Sequence, residues 1–164
     1  RRFGRKHGLL KALYALQTER VEAWNGRADI HARLAALDAP DVDLRTFLKG
    51  HMRLAVRQLR EIEHLARPMA IYGRLRPEIF GEEADQYLQA AHAGLAQALE
   101  RFKGEIRRDD TLLCAQLLAY LVQSSLNDFV LFRDRTVLPG VELDDDAFAD
   151  HIADFAYGYL TTVR

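Results

Sequence analysis

The segment TLLCAQLLAYLVQSSLNDFVLF, residues 111–132, is too long and too continuously apolar for a strand, and its apolar residues recur all round a helix. A helix of that kind is expected to be buried on more than one side. Polar side chains nevertheless run through it in helical register: Gln116, Tyr120, Gln123 and Asn127 fall at i, i+4, i+7 and i+11. A buried amide without a partner costs about 1–3 kcal/mol, so these groups call for another helix, a water or a ligand.

Outward from this segment the periodicity stays helical. Leu9, Leu13 and Leu16, with Leu10, Tyr14, Val21 and Trp24 beside them, predict an amphipathic helix ending near Asn25-Gly26. Leu44, Leu48, Ala55, Leu59, Ile62 and Ala66 predict a second, opened by Asp41 or Asp43 and stopped by Pro68. Leu88, His92, Leu95, Leu99, Phe102 and Ile106 predict a third, after a turn at Gly81-Glu82-Glu83. The last helix opens at LDDDAF, with Asp144 as N-cap, Asp145 and Asp146 favourably placed against the helix dipole, and Leu143 stapled to Phe148. With no period-2 strand, repeat or low-complexity tract, the fold class is all-α. Two connectors interrupt the helices. Residues 66–83 are too apolar to lie in water, which places them over a cavity or an interface, and residues 133–142 form a crossover turning at Pro139-Gly140.

Composition bounds the function. A chain of 164 residues is about one domain and can bury a sizeable core without staples. Its single cysteine excludes an internal disulfide framework and a thiolate zinc cage, which suits a reducing cytoplasm. No apolar run reaches the roughly 18 residues of a membrane span, and no signal-peptide pattern leads the chain. The net charge of -1 gives no global reason to expect nucleic-acid binding. Its distribution is uneven: Arg1, Arg2, Arg5, Lys6, Lys11 and Arg20 crowd the start, and Asp144, Asp145, Asp146, Asp150 and Asp154 the end.

The opening RRFGRKHGLL sets Phe3, Gly4, Lys6 and the pair Leu9-Leu10 at the start of a helix. This arrangement resembles the junction after the recognition helix in tetracycline-repressor (TetR) family regulators, and the number and order of the following helices are similar over the whole chain. The resemblance implies that residues 1–24 are the end of a DNA-binding domain and its linker helix, that residues 25–164 form a ligand-binding and dimerisation domain, and that the base-reading residues lie upstream of Arg1. In this reading Phe3 ends the recognition helix, and the linker helix starts after a turn at Gly4. Arg5 and His7 depart from the family pattern by leaving that helix start less well capped and more basic. From the residues alone a solvated helix start is the more ordinary reading of the cluster; the resemblance favours Lys6, with Arg5 and Arg1, as phosphate contacts. The implied function is a cytoplasmic, ligand-responsive transcriptional regulator, a repressor released from operator DNA by a small, mostly apolar effector, with no cofactor, no metal and no catalysis.

Polar residues within apolar stripes supply the candidate effector site: His51 and Gln58 on the second helix beside Phe47 and Leu54, His92 on the third, Tyr120, Gln123 and Asn127 on the fourth, roofed by Met69, Tyr72 and Phe80. A satisfied place in the core, or in the contact between two copies, remains open for each. The homodimer contact is assigned to the last two helices through Ala115, Ala119, Val122, Leu126, Ile152, Phe155, Ala156 and Tyr159, whose small members permit close approach. Catalytic signals are weak. Glu61 and His64 form one ExxH pair of the kind that binds di-iron in helical bundles, without a second copy, and a bundle metalloenzyme or a plain interaction module are the alternatives this leaves. Cys114 sits in an apolar run and reads as an inert thiol.

Overall fold

The computed structural model describes residues 2–75, 81–132, 140 and 142–162, and the side chains of all of these except residues 2–7, 81–84 and 87. Among the described residues every regular element is helical, and the all-α class holds. In chain order the helices are α1 (Arg2–Asn25), α2 (Ala28–Leu37), α3 (Leu44–Glu61), α4 (Glu63–Leu75), α5 (Gly81–Glu100), α6 (Thr111–Leu126) and α7 (Asp145–Thr161), with a π-helical turn, Asn127–Leu131, continuing α6. None of the described helices is long and apolar enough to cross a membrane.

Aspartates open three of these helices. Asp43, Asp110 and Asp144 accept from the backbone N–H groups of Thr46, Leu113 and Ala147 at 2.7, 2.8 and 2.7 Å, each satisfying a donor the helix itself leaves free. Leu143 packs against the cluster that holds Phe148, as a staple requires.

Several boundaries differ from the sequence expectation. The helix begun at Leu44 breaks at Ile62, not at Pro68: the Ile62 N–H closes α3 on Gln58 O at 3.2 Å, while its carbonyl accepts from Leu65 and Ala66 at 2.9 and 2.8 Å and starts α4. Pro68 lies inside α4 and leaves the carbonyl of His64, an exposed residue, free for water, while Leu65, Ala66 and Met69 bury the opposite face. The Gly81-Glu82-Glu83 segment is the start of α5, not a turn before it, and α5 ends at Glu100; Phe102 and Ile106 reach the core from successive turns instead. A short helix, α2, fills a region with no sequence assignment. Helix α1 runs unbroken through Gly4, where the resemblance calls for a turn.

The bundle is organised by α3 and α7, which lie antiparallel. Ala149, Ala153 and Ala156 are all buried and let the two backbones close up. One cluster gathers Leu44, Phe47 and Leu48 of α3 with Leu99, Cys114, Ala115, Leu118 and Leu160; a second gathers Val56, Ile62 and Ala66 with Leu126, Val130, Leu131 and Phe148. A basic stripe on α3 meets an acidic stripe on α7 along the seam: Arg45 pairs with Asp154 at 2.8 Å, Arg53 with Asp150 at 2.8 Å, Arg57 with Asp146 at 3.5 Å and Arg60 with Asp145 at 2.9 Å. Arg60 also donates to Glu63 Oε2 at 3.2 Å and to Val130 O at 3.1 Å, so one guanidinium ties α3 to α4, α7 and the π-helical turn.

Hydrogen bonds from Arg53 and Arg45 hold the carboxyls of Asp150 and Asp154 below their ordinary range. Groups of this kind stabilise the fold above the unfolded carboxylate pKa, about 4, and lose that contribution as the pH falls through the lower folded value. Thermal unfolding should therefore be flat from about pH 7 to 5 and shift to lower temperature below about pH 4. The Asp150→Asn, Asp154→Asn double variant should have a smaller acid shift. Raising NaCl from about 0.1 to 1 M, which shortens the screening length about threefold, should narrow the difference at neutral pH.

Gly50 of α3 lies against the Leu37 side chain of α2, since a Cβ there would stand 2.3 Å from Leu37 Cδ2. Gly50→Ala should destabilise the protein by about 1–3 kcal/mol through overpacking. Combining it with Leu37→Ala should recover part of that cost, and urea unfolding of the single and double variants measures the coupling.

Candidate functional site

Helix α6 carries no charged residue from Thr111 through its end. Its inner face, Cys114, Ala115, Leu118 and Leu126, is buried in the two clusters. Nothing in the described chain covers its outer face: Leu112 and Leu113 are each 49% exposed, Leu117 41%, Tyr120 69% and Leu121 39%. Phe155 of α7 is 60% exposed. It belongs beside this face, because Tyr159, one turn further along the same side of α7, donates its hydroxyl to Cys114 Sγ on α6 at 3.8 Å. Arg108 fixes that corner by donating to Tyr159 O at 2.9 Å, with its guanidinium 4.7 Å from the tyrosine ring centre. The result is an uncharged patch of leucines with two aromatic rings, a composition that matches the centre of protein interfaces and is uncommon on an isolated surface.

Within the single chain, α6 is buried on one side and apolar on the other. The interface residues read from sequence divide accordingly. Ala115, Leu126 and Ala156 lie in the chain's own core, where Ala156 seats α7 against its neighbours, so they cannot form the outer contact. Val122 and Ile152 pack against the second cluster and Tyr159 against the first; Ala119 is half-buried. Phe155 is on the surface. The residues that dominate the uncovered face, Leu112, Leu113, Leu117 and Leu121, were missed, although Leu113, Leu117 and Leu121 repeat at i, i+4 and i+8 in the sequence.

The candidate effector residues do not converge. Tyr120 is two positions beyond the buried Leu118, about 200° round the helix, which turns the polar stripe outward. Gln123 is exposed and donates to Asn127 Oδ1 at 2.9 Å, so these amides answer each other on the surface. His51 is held on α3: its Nδ1–H donates to Phe47 O at 3.0 Å, its ring lies 4.1 Å from that of Phe47, and burial pushes its pKa below the ordinary histidine value, leaving it neutral at pH 7. Gln58 donates to Asn25 Oδ1 at 3.0 Å and fastens α3 to the end of α1. Met69 is buried in α4, Tyr72 is 42% exposed, and His92 is half-buried on α5. Phe80 lies outside the described residues, as does Arg1; Arg5 and Lys6 are in the first turns of α1, and their side chains are not described.

The Glu61 and His64 pair does not lie on one continuous helix, since Ile62 breaks the chain between them. Glu61 is occupied, accepting from Arg27 Nη1 at 2.9 Å, and His64 is exposed. Among the described residues no group of three or more His, Cys, Asp or Glu side chains is placed to hold a metal ion. Cys114 is a free, buried thiol. No protein family, curated protein or solved structure matches the chain.

Proposed function

We propose that the chain is the sensor and dimerisation part of a TetR-like, ligand-responsive DNA-binding regulator, acting as a repressor. The observation that carries this reading is the exposed, uncharged face of α6 with Phe155 of α7, which supports a two-fold contact through α6 and α7. The basic opening supports it from the other end of the chain. Helix α1 packs chiefly on α4 and α2, so a dimer formed through α6 and α7 leaves the basic helix clear of the contact. Lys6 lies in α1 and acts on a phosphate as a point charge.

A small, mostly apolar effector binding one of two positions of α1 changes the separation of the two DNA readers. Couplings of this kind amount to about 1–3 kcal/mol. In the natural full-length protein, affinity for duplex DNA should fall linearly in a log-log plot against NaCl, with a slope of about -0.9 per phosphate neutralised. Lys6→Ala should make that slope shallower by about one. An unchanged slope removes Lys6 from the contact, and failure of the protein to bind duplex DNA at low salt removes the regulator reading.

A further inference from the structure

The side chains of α7 divide by direction. Ala149, Ala153, Ala156 and Leu160 are buried, and Asp150 and Asp154 turn to the cations of α3. A third side holds His151, Phe155 and Tyr159, spaced four residues apart. Tyr159 reaches Cys114 of α6 and Phe155 is bare beside that helix, so His151, itself exposed, stands one turn from the uncovered face. The charges around it are matched or absent. From α3, Arg45, Lys49 and Arg53 are engaged with Asp150 and Asp154. Between Asp110, its N-cap, and Asp128 in the π-helical turn, α6 carries no Asp, Glu, Lys or Arg. Helix α5, packed on α6, carries none between Asp85 and Glu100, where it brings only the half-buried His92.

A face of this kind fits a second copy of the same chain, because it has no charge to offer an acidic or basic partner and none with which to repel itself. Leu112, Leu113, Leu117, Tyr120, Leu121 and Phe155 are each between 39% and 69% exposed. Together they leave roughly 600 Å² bare, against about 800 Å² per partner in a standard interface. We infer that acid releases this contact and that His151 is the residue that senses it. The inference rests on the dimer of the proposed function and is independent of DNA binding. Histidine is the side chain that ordinarily changes charge between pH 5 and 8. Neutral, the imidazole extends the surface of Phe155; protonated, it brings a cation, twice over in a two-fold contact, to a face with no anion to receive it.

Sedimentation equilibrium of the wild type at pH 7.5 and 5.5, at one ionic strength, tests this. The Kd for dimerisation should rise by about 10- to 100-fold with acid, since excluding the proton from an ordinary imidazole over that interval weakens association about tenfold and the contact holds two. His151→Phe should associate equally at both pH values, His151→Lys weakly at both, and His92→Gln should behave as the wild type. A wild-type dimer whose Kd does not move overturns the inference, as does a pH dependence that survives in His151→Phe. Loss of helical circular dichroism in step with association also overturns it, because the proton would then act on the fold. A wild type that is monomeric at both pH values removes the dimer and this inference together, whereas a dimer indifferent to pH removes this inference alone.

Discussion

A chain carrying Leu117→Glu and Leu121→Glu should sediment as a monomer at micromolar concentrations where the wild type is a dimer. Both leucines are on the outer face of α6 and outside the buried clusters, so the fold should survive the substitutions. In a two-fold contact the same patch meets itself, so each substitution introduces two carboxylates into an uncharged centre. Like charges brought together out of water cost several kcal/mol, and at about 1.4 kcal/mol per decade the dimer should weaken by about 100-fold or more. Leu88→Glu, at another exposed leucine on α5, is the control and should leave the association unchanged. A wild-type chain that is monomeric at the same concentration removes the dimer from the proposed function.

Phe47→Ala should cost about 3–5 kcal/mol of stability, a large part of the roughly 5–15 kcal/mol that holds a domain of this kind together. Phe47 is 2% exposed and sits where the first cluster is densest: its ring is 4.9 Å from that of Phe102 and 4.1 Å from that of His51, and the Arg101 guanidinium lies 5.8 Å from its centre. Truncation leaves a cavity that the surrounding helices can close only in part. The same truncation at Leu75, 67% exposed at the end of α4, should stay within about 0.5 kcal/mol. Urea midpoints for the two variants provide the comparison.

These expectations draw unequally on the sequence. Where one local interaction fixes an element, the residues announce it: Asp144 is a cap in sequence and in the structure, Asp43 is the one of the two aspartates offered that caps α3, and Leu143 packs where a staple should. Where two local rules compete, the reading fails. Pro68 stops a helix by its own chemistry, yet the buried side chains of α4 carry the helix past it, and the break moves to Ile62, a residue with no breaking tendency of its own. The polar stripe on α6 failed for a different reason. Periodicity shows that Gln116, Tyr120, Gln123 and Asn127 share a side; it does not show which side faces the core, and here the small residues Cys114 and Ala115 decided that by letting the other side pack. The basic stripe of α3 was legible and unread: Arg45, Lys49, Arg53 and Arg57 repeat every fourth residue, and Asp146, Asp150 and Asp154 repeat likewise on α7.

The partnership of α3 with α7 also sets the order in which the molecule can be made. Its ion pairs join residues 109, 97, 89 and 85 positions apart in the chain, and the alanines that seat it belong to α7. At a synthesis rate of about 5–20 residues per second, α3 waits several seconds on the ribosome for its mate. During that interval the row of arginines facing α7 is unanswered. A helical bundle usually folds quickly because its contacts are local, but here the central contact is the most distant one, so closure of the core should follow release of the last helix rather than precede it.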